Sequence, residues 1–365
     1  MSLTNLPQRI AGKFMNRLAL AYWEAPRPQY RKKGTKHIAQ DTEQPDPSHI
    51  RAQQTLDAVY TWVDSTDPAW RAKHSEALRH ISSVRAEAIA EERFLSRHEL
   101  RYSLRSLHDY APFVRNIYIV TDGQVPAWLN ASHPKIRVID HREIFPDLAV
   151  LPTFNSHAIE ACLHRIPGLS RLFLYLNDDV FLGRTVLSND FVDENRAIQV
   201  RTSPTLKIAV RSDTEESWMW ANLNSINAVK RDLGCNRLQH PLRHTPHLLD
   251  RVLMEDVENR YTELFNETRA SKFRSRKNIA PITLFSAYAL GKCRAIEPET
   301  RAEEIIHVTL GSQDMGRRLL KIKRERPKFY CLNSTHKRDV SIKRQGRILA
   351  NFLESMHPRP SPFEL

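Results

Sequence analysis

The sequence predicts an α/β fold, a mostly parallel sheet with flanking helices and helical additions. Two observations carry that prediction. Several apolar runs of strand length each end in an acidic residue, and helix-spaced apolar residues lie between them. The first strand is Asp57-Ala-Val-Tyr-Thr-Trp-Val63, stopping at Asp64 and Asp67-Pro68. A helix follows, with Ser96 and Glu99 as a capping box before Leu100, Leu104 and Leu107. The next strands are Arg115–Val120, stopping at Thr121-Asp122-Gly123, and Ile136–Ile139, stopping at Asp140-His141. Ile159, Leu163 and Ile166 mark a second helix. The run Leu172–Leu176 then ends abruptly in Asn177-Asp178-Asp179. Ligands of open α/β sheets bind outside the carboxyl ends of the strands. Four acidic strand ends are therefore expected to converge on one cleft.

Beyond the last of these strands, Trp218-Met-Trp220 and the polar stretch after it read as a loop and helix over the cleft. Pro246 suits the first position of a helix running through Leu249, Val252 and Leu253, with Thr245 as its cap. Arg347–Met356 reads as a C-terminal amphipathic helix. Residues 24–54, rich in Pro, Gln and charge, read as a linker.

A chain of 365 residues that is 41% hydrophobic can bury one large core. No apolar stretch reaches the roughly 18 residues of a membrane helix, and the N-terminus lacks a signal-peptide pattern. Cys162, Cys235, Cys293 and Cys331 are scattered, which suits a reducing cytoplasm better than a disulfide framework or a zinc site. The net charge of +13 concentrates at the ends: residues 1–36 hold eight Lys/Arg against Glu24, and residues 317–347 hold twelve against Glu325 and Asp339. The segment Ile10–Tyr22 mixes apolar and basic residues in the manner of a helix lying on an anionic membrane, and equally of a helix packed on a core. Nucleic acid is the weaker partner, because no zinc finger, RNA-recognition signature or glycine-rich phosphate loop is present.

Asp178 and Asp179 suit a hard divalent cation, Mg²⁺ or Mn²⁺, and through it the pyrophosphate of a nucleotide-activated substrate. Asp64 is a further ligand or a base. His247, in the first turn of its expected helix, is held neutral by the helix dipole and is the leading general base. His244 reads as a structural hydrogen-bonding partner. Asn155, Ser156, His157 and Glu160 open the second helix, whose free backbone N–H groups suit a phosphate or sugar hydroxyls. Asn177 supplies an amide at the strand end. Arg101 and Arg105 share the helix face opposite the leucines, one of them aimed at the cleft or at a strand-end carboxylate. Arg274 and Arg276 lie in the basic run Lys272–Lys277.

These residues fall into blocks that resemble the Stealth family. They are Tyr60-Thr-Trp-Val-Asp64, Glu99–Ser106, Ile119–Gln124, Leu151–Ser156 with Ile159-Glu160, Leu176–Asp179, His244-Thr-Pro-His247 with Asp250-Arg251 and Arg274, and Lys328-Phe-Tyr-Cys331. The resemblance spans roughly residues 55 to 335 in family order. Ser65, His98 and Asn278 depart from it, standing where Gly, an acidic or amide residue, and Asp are usual. The resemblance implies a nucleotide-sugar-transferase fold of GT-A or Rossmann-like type. It also implies transfer of a hexose-1-phosphate, N-acetylhexosamine-1-phosphate by expectation, from a UDP-linked sugar to a glycan hydroxyl in capsular or cell-surface polysaccharide synthesis. Family position makes Arg274 a phosphate contact, with His244 and Arg276 beside the substrate. The expected organisation is a basic segment and linker over 1–54, a catalytic domain over 55–335 and a basic helix and tail over 336–365. The expected place is the cytoplasm, at the inner face of the membrane. A metal-dependent glycosyltransferase and a catalytically inert polymer-binding protein are the alternatives.

Overall fold

The computed structural model describes residues 8–25, 56–81, 83–299, 303–334 and 340–365. The linker expected over 24–54 lies almost wholly outside these residues. In chain order the strands are β1 Leu56–Thr61, β2 Val114–Thr121, β3 Ile136–Asp140, β4 Leu172–Asn177, β5 Val180–Leu182, β6 Ile198–Gln199, β7 His247–Asp250, β8 Ala295–Ile296, β9 Ile305–Leu310 and β10 Phe329–Ser334.

The main sheet has the order β3-β2-β1-β4-β7. Its first four strands are parallel and only β7, at the edge, runs antiparallel. Helices cover both faces, so β1 and β4 are buried along nearly their whole length rather than at alternate residues, the pattern of a parallel sheet covered on both sides. The α/β class with a mostly parallel sheet is therefore the observed one. A second sheet, β5-β10-β9, continues from the first. Only Asp178 and Asp179 separate the end of β4 from the start of β5. The two carboxylates thus sit at the seam where the chain leaves one sheet for the other. The Asp179 carbonyl accepts the Leu332 N–H of β10 at 3.0 Å, which pins that seam to the second sheet.

The helix Glu99–Tyr110 buries Leu100, Leu104 and Leu107, as their spacing predicts. Its expected capping box does not form. His98 takes the cap position at φ 68° with no side-chain bond. Ser96 instead accepts the Trp62 indole N–H at 3.3 Å, and the Glu99 carboxylate accepts the Arg97 N–H at 2.5 Å. Tertiary contacts have drawn Glu99 inward, where it faces Asp178 and Asp179. The second helix is a short one, Ser156–Glu160, followed by a 3-10 turn at Leu163–Arg165, with Asn155 as N-cap. The stretch around Trp218 is a full helix, Ser217–Leu233, ended by Gly234 at φ 64°.

The helix expected to start at Pro246 starts later. Residues His247–Asp250 form β7 and pair with β4, Tyr175 opposite His247, and the helix runs Arg251–Arg260 with Asp250 as its cap. An open edge on β4 offers backbone partners and apolar cover for Leu248 and Leu249, and that outweighs the local Pro signal.

The two basic ends meet. The helix Gln8–Glu24 packs against Met315–Glu325 and Ile342–Met356, burying Ala19, Leu20 and Trp23. Gly316 permits the crossing, since a Cβ there would lie 2.9 Å from the Leu20 nitrogen. Glu24 accepts two hydrogen bonds from Arg344, at 2.7 and 2.9 Å. The buried face of the N-terminal helix is thus committed to the core and not free to enter a bilayer. Met15, Leu18 and Tyr22 remain exposed on its other side. Among the described residues no helix is long and apolar enough to cross a membrane.

Candidate active site

Two adjoining cavities, of about 260 and 710 Å³, open above the carboxyl ends of β1 and β4. They share Glu92, Arg93, Asn177, His244, Arg274, Asn333 and Ser334 as common walls. Asp178 and Asp179 line the smaller one together with Glu99, Asp122 and Ser156. His157, Glu160, Tyr175, His247 and His307 line the larger.

Of the four acidic strand ends, the turn after β4 and Asp122 reach this cleft. Asp64 does not line it. Its carboxylate accepts the Thr66 N–H at 2.9 Å and hydroxyl at 2.8 Å, closing a local turn. Asp140 caps the following helix by accepting the Arg142 N–H at 2.8 Å. Asp122 is paired with Lys73 at 2.9 Å.

Desolvation raises both members of the Asp178/Asp179 pair, Asp179 to about 6 and Asp178 well above the usual carboxylate range, with repulsion from Asp179 and Glu99 adding at Asp178. One Asp179 oxygen is buried without a hydrogen-bond partner. Among the described residues no group of three or more His, Cys, Asp or Glu side chains could hold a metal. The donor set is therefore two hard oxygens at an open cleft. That fits Mg²⁺, which binds through one or two carboxylates and takes its other ligands from water and phosphate.

Tyr175 is the hub on the β4 side. Its hydroxyl lies 3.2 Å from Glu160, 2.9 Å from Asn177 and 3.2 Å from the Thr61 hydroxyl. Burial lifts Glu160 to about 7, against the opposing pull of Arg274. Arg274 donates to the Ser156 hydroxyl at 2.5 Å and leaves a buried Nε without a partner.

Desolvation by the cleft walls also governs the histidines. It brings the half-buried His247 down to about 3, with His244 and Arg201 adding to the shift, and lowers His244, which stays exposed to the cleft, with Arg274 adding. The neutral imidazole expected at position 247 is therefore a product of desolvation and not of a helix dipole. Of the two histidines that line the smaller cavity with Arg274 and the aspartates, His141 and His244, only His244 also lines the larger one. The His244 ring lies 5.3 Å from that of His307.

Two expected substrate contacts, Arg101 and Arg276, point elsewhere. Arg101 binds Glu364 at 2.5 Å beside Trp128, and Arg105 binds the same carboxylate at 2.7 Å and the His357 carbonyl at 2.8 Å. Both anchor the C-terminal tail rather than facing the cleft. Arg276 lies against Trp220 and pairs with Asp213 at 3.2 Å at the surface. Asn155 is buried as a brace. It accepts the His157 N–H at 3.1 Å and donates to Asn278 at 2.9 Å and to the Ser271 carbonyl at 3.1 Å. Asn278 in turn accepts the Ser275 N–H at 2.8 Å, so this amide pair shapes the loop that carries Arg274. Sequence reasoning passed over Arg93, Tyr175 and His307 and took Glu99 for a cap. None of them lies in a pattern that separates it from an ordinary surface or strand residue.

Four conserved regions of Stealth proteins match the chain: region 1 at residues 55–82, region 2 at 93–200, region 3 at 243–291 and region 4 at 320–365. The last extends beyond residue 335 and takes in the C-terminal helix and tail. The exopolysaccharide phosphotransferase SCO6023 of Streptomyces coelicolor is 44% identical over 313 residues, 85% of this chain and 52% of that protein. The exopolysaccharide phosphotransferase CpsY of Mycobacterium tuberculosis is 34% identical over 318 residues, 85% of this chain and 58% of that protein. The chain spans about half the length of these curated relatives. Among solved structures, the galactosyltransferase LgtC in complex with donor and acceptor sugar analogs aligns with a TM-score of 0.41 at 11% identity, over 84% of this chain and 97% of LgtC. Four conserved regions in family order, laid over one cleft, make this chain a member of the Stealth family.

Proposed function

We propose that this chain transfers a hexose-1-phosphate, by expectation N-acetylhexosamine-1-phosphate, from a UDP-linked sugar to a hydroxyl of a glycan, in capsular or cell-surface polysaccharide synthesis. The observation that carries the reading is one cleft holding a partly buried carboxylate pair, a partly buried guanidinium and a neutral histidine. Those are the parts phosphoryl transfer requires, because its transition state spreads negative charge over phosphoryl oxygens and needs mainly positioning and cationic stabilisation.

Asp178 and Asp179 would hold Mg²⁺ or Mn²⁺, which neutralises the donor's pyrophosphate when bound. Arg274, held by Ser156, grips the phosphoryl group next to the sugar. The acceptor oxygen attacks that phosphorus, the bond to the nucleoside monophosphate breaks, and the acceptor's proton passes to a histidine Nε2 or Nδ1. His244 replaces His247 as the leading base. It shares its wall with Arg274 and the aspartates, whereas an imidazole as strongly depressed as His247 holds a proton poorly. Glu160 and Asn177 face the donor's sugar hydroxyls, and His157 packs behind them. Residues 55–335 carry the chemistry in this reading, and the helices Gln8–Glu24 and Ile342–Met356 pack on the second sheet. Met15, Leu18 and Tyr22, with Lys13 and Arg17 alongside, form the patch that meets an anionic membrane.

The test is to incubate the purified chain with Mg²⁺, a glycan acceptor and a panel of nucleotide sugars labelled at the sugar-proximal phosphorus. Label in the acceptor together with nucleoside monophosphate release supports the proposal. Label kept in a nucleoside diphosphate makes the protein a glycosyltransferase, and no release makes it a binding protein.

A further inference from the structure

Arg93 ends the 3-10 turn Glu91–Arg93, and the next residue, Phe94, anchors that turn by packing on Trp70 at a centroid distance of 5.2 Å. Its side chain lines both cavities, as that of Arg274 does. The protein packed around Arg93, with the nearby Arg274 charge adding, lowers it to about 9, so it stays charged at neutral pH. Two like charges thus share one desolvated wall.

Among the described residues neither guanidinium has an ion-pair partner. The carboxylates in range are engaged elsewhere or weakened. Glu87 is bound by Arg85 at 2.7 Å and Ser217 at 2.8 Å, and Glu216 accepts the Trp218 indole N–H at 2.9 Å. Glu160 titrates near neutrality. A pair of partly buried cations without a direct ion pair costs stability, unless an anion is meant to arrive between them. The partnerless Arg274 Nε supports the same reading independently.

We propose that Arg93 is a second phosphate-gripping side chain, forming with Arg274 the seat of the donor's pyrophosphate. Guanidinium groups suit the task because each offers a planar fork to two phosphoryl oxygens. The inference rests on the transfer reading above and adds to it a residue from a different part of the chain.

Inorganic pyrophosphate is the probe, titrated calorimetrically into the wild-type chain, Arg93→Ala and Arg93→Lys in Mg²⁺ buffer. Loss of one charge-assisted contact should weaken binding by roughly 10- to 100-fold in Arg93→Ala, with partial recovery in Arg93→Lys. The empty Arg93→Ala protein should melt at or above the wild-type temperature, because the repulsion from Arg274 is gone. A merely structural arginine moves the other way. Binding in Arg93→Ala within twofold of wild type overturns the proposal, as does a wild-type chain that does not bind pyrophosphate, or two variants that both melt well below it. The assay needs neither acceptor nor turnover. Active wild type with intact pyrophosphate binding in Arg93→Ala sinks only the Arg93 assignment. Arg93-dependent binding by a chain that turns over no nucleotide sugar sinks only the transfer reading.

Discussion

Glu160 offers the sharpest test of the site's electrostatics. In the folded chain its carboxyl titrates near 7 against an ordinary 4.5, because burial penalises the charge more than Arg274 favours it. A raised carboxyl pKa means that the native state holds the proton more tightly than the unfolded chain does. Its contribution to stability is complete below the unfolded value and is lost as pH rises through about 7. A difference of about 2.5 units at 1.36 kcal/mol each corresponds to about 3 kcal/mol. Glu160→Gln keeps the shape of the protonated acid and removes its titration. The variant should come within about 1 kcal/mol of wild type at pH 5 and exceed it by about 3 kcal/mol at pH 8, while losing turnover. Urea denaturation at pH 5, 6, 7 and 8 reads this directly, and the difference between the two proteins isolates Glu160 from the other raised carboxyls. Equal stability at pH 8, or parallel pH slopes, would refute the reasoning. The buried charge would then be balanced by Arg274 more completely than the geometry implies.

Asp179→Asn should stay folded, gain stability above pH 6, where the native carboxyl ionises, and lose turnover. Chelator should abolish wild-type activity, and full turnover in chelator would remove the metal role. His244→Ala should lower turnover by about 10²–10⁴-fold with little change in donor affinity, and wild-type activity should fall only at pH values below the usual imidazole range. If His244→Ala keeps its rate and His247→Ala loses it, the base is His247 after all. Leu18→Glu combined with Arg17→Glu should reduce co-sedimentation with anionic vesicles at low salt and spare turnover of a soluble acceptor, and unchanged co-sedimentation would discard the membrane patch.

How much of this site was legible beforehand depends on what each residue needs to be recognised. Asp178, Asp179 and Asn177 stood out because an apolar run ending in three polar residues is a local pattern, and β4 ends there. The parallel sheet followed from the same kind of pattern repeated, since strand and helix periodicities are written in neighbouring residues. His247 shows the opposite case. Pro246 signals a helix locally, but the free edge of β4 lies far away in sequence and claims the segment as a strand. Arg101 and Arg105 sit on the predicted helix face, yet their destination is Glu364, more than 250 residues later. Arg93 and Arg274 become neighbours only when two distant loops meet over the sheet. By itself the sequence determined the four parallel strands of the main sheet, several of the helices, the acidic seam and the family. The tertiary structure decided which charges share a desolvated wall, because desolvation depends on what packs around a group and not on what precedes it in the chain.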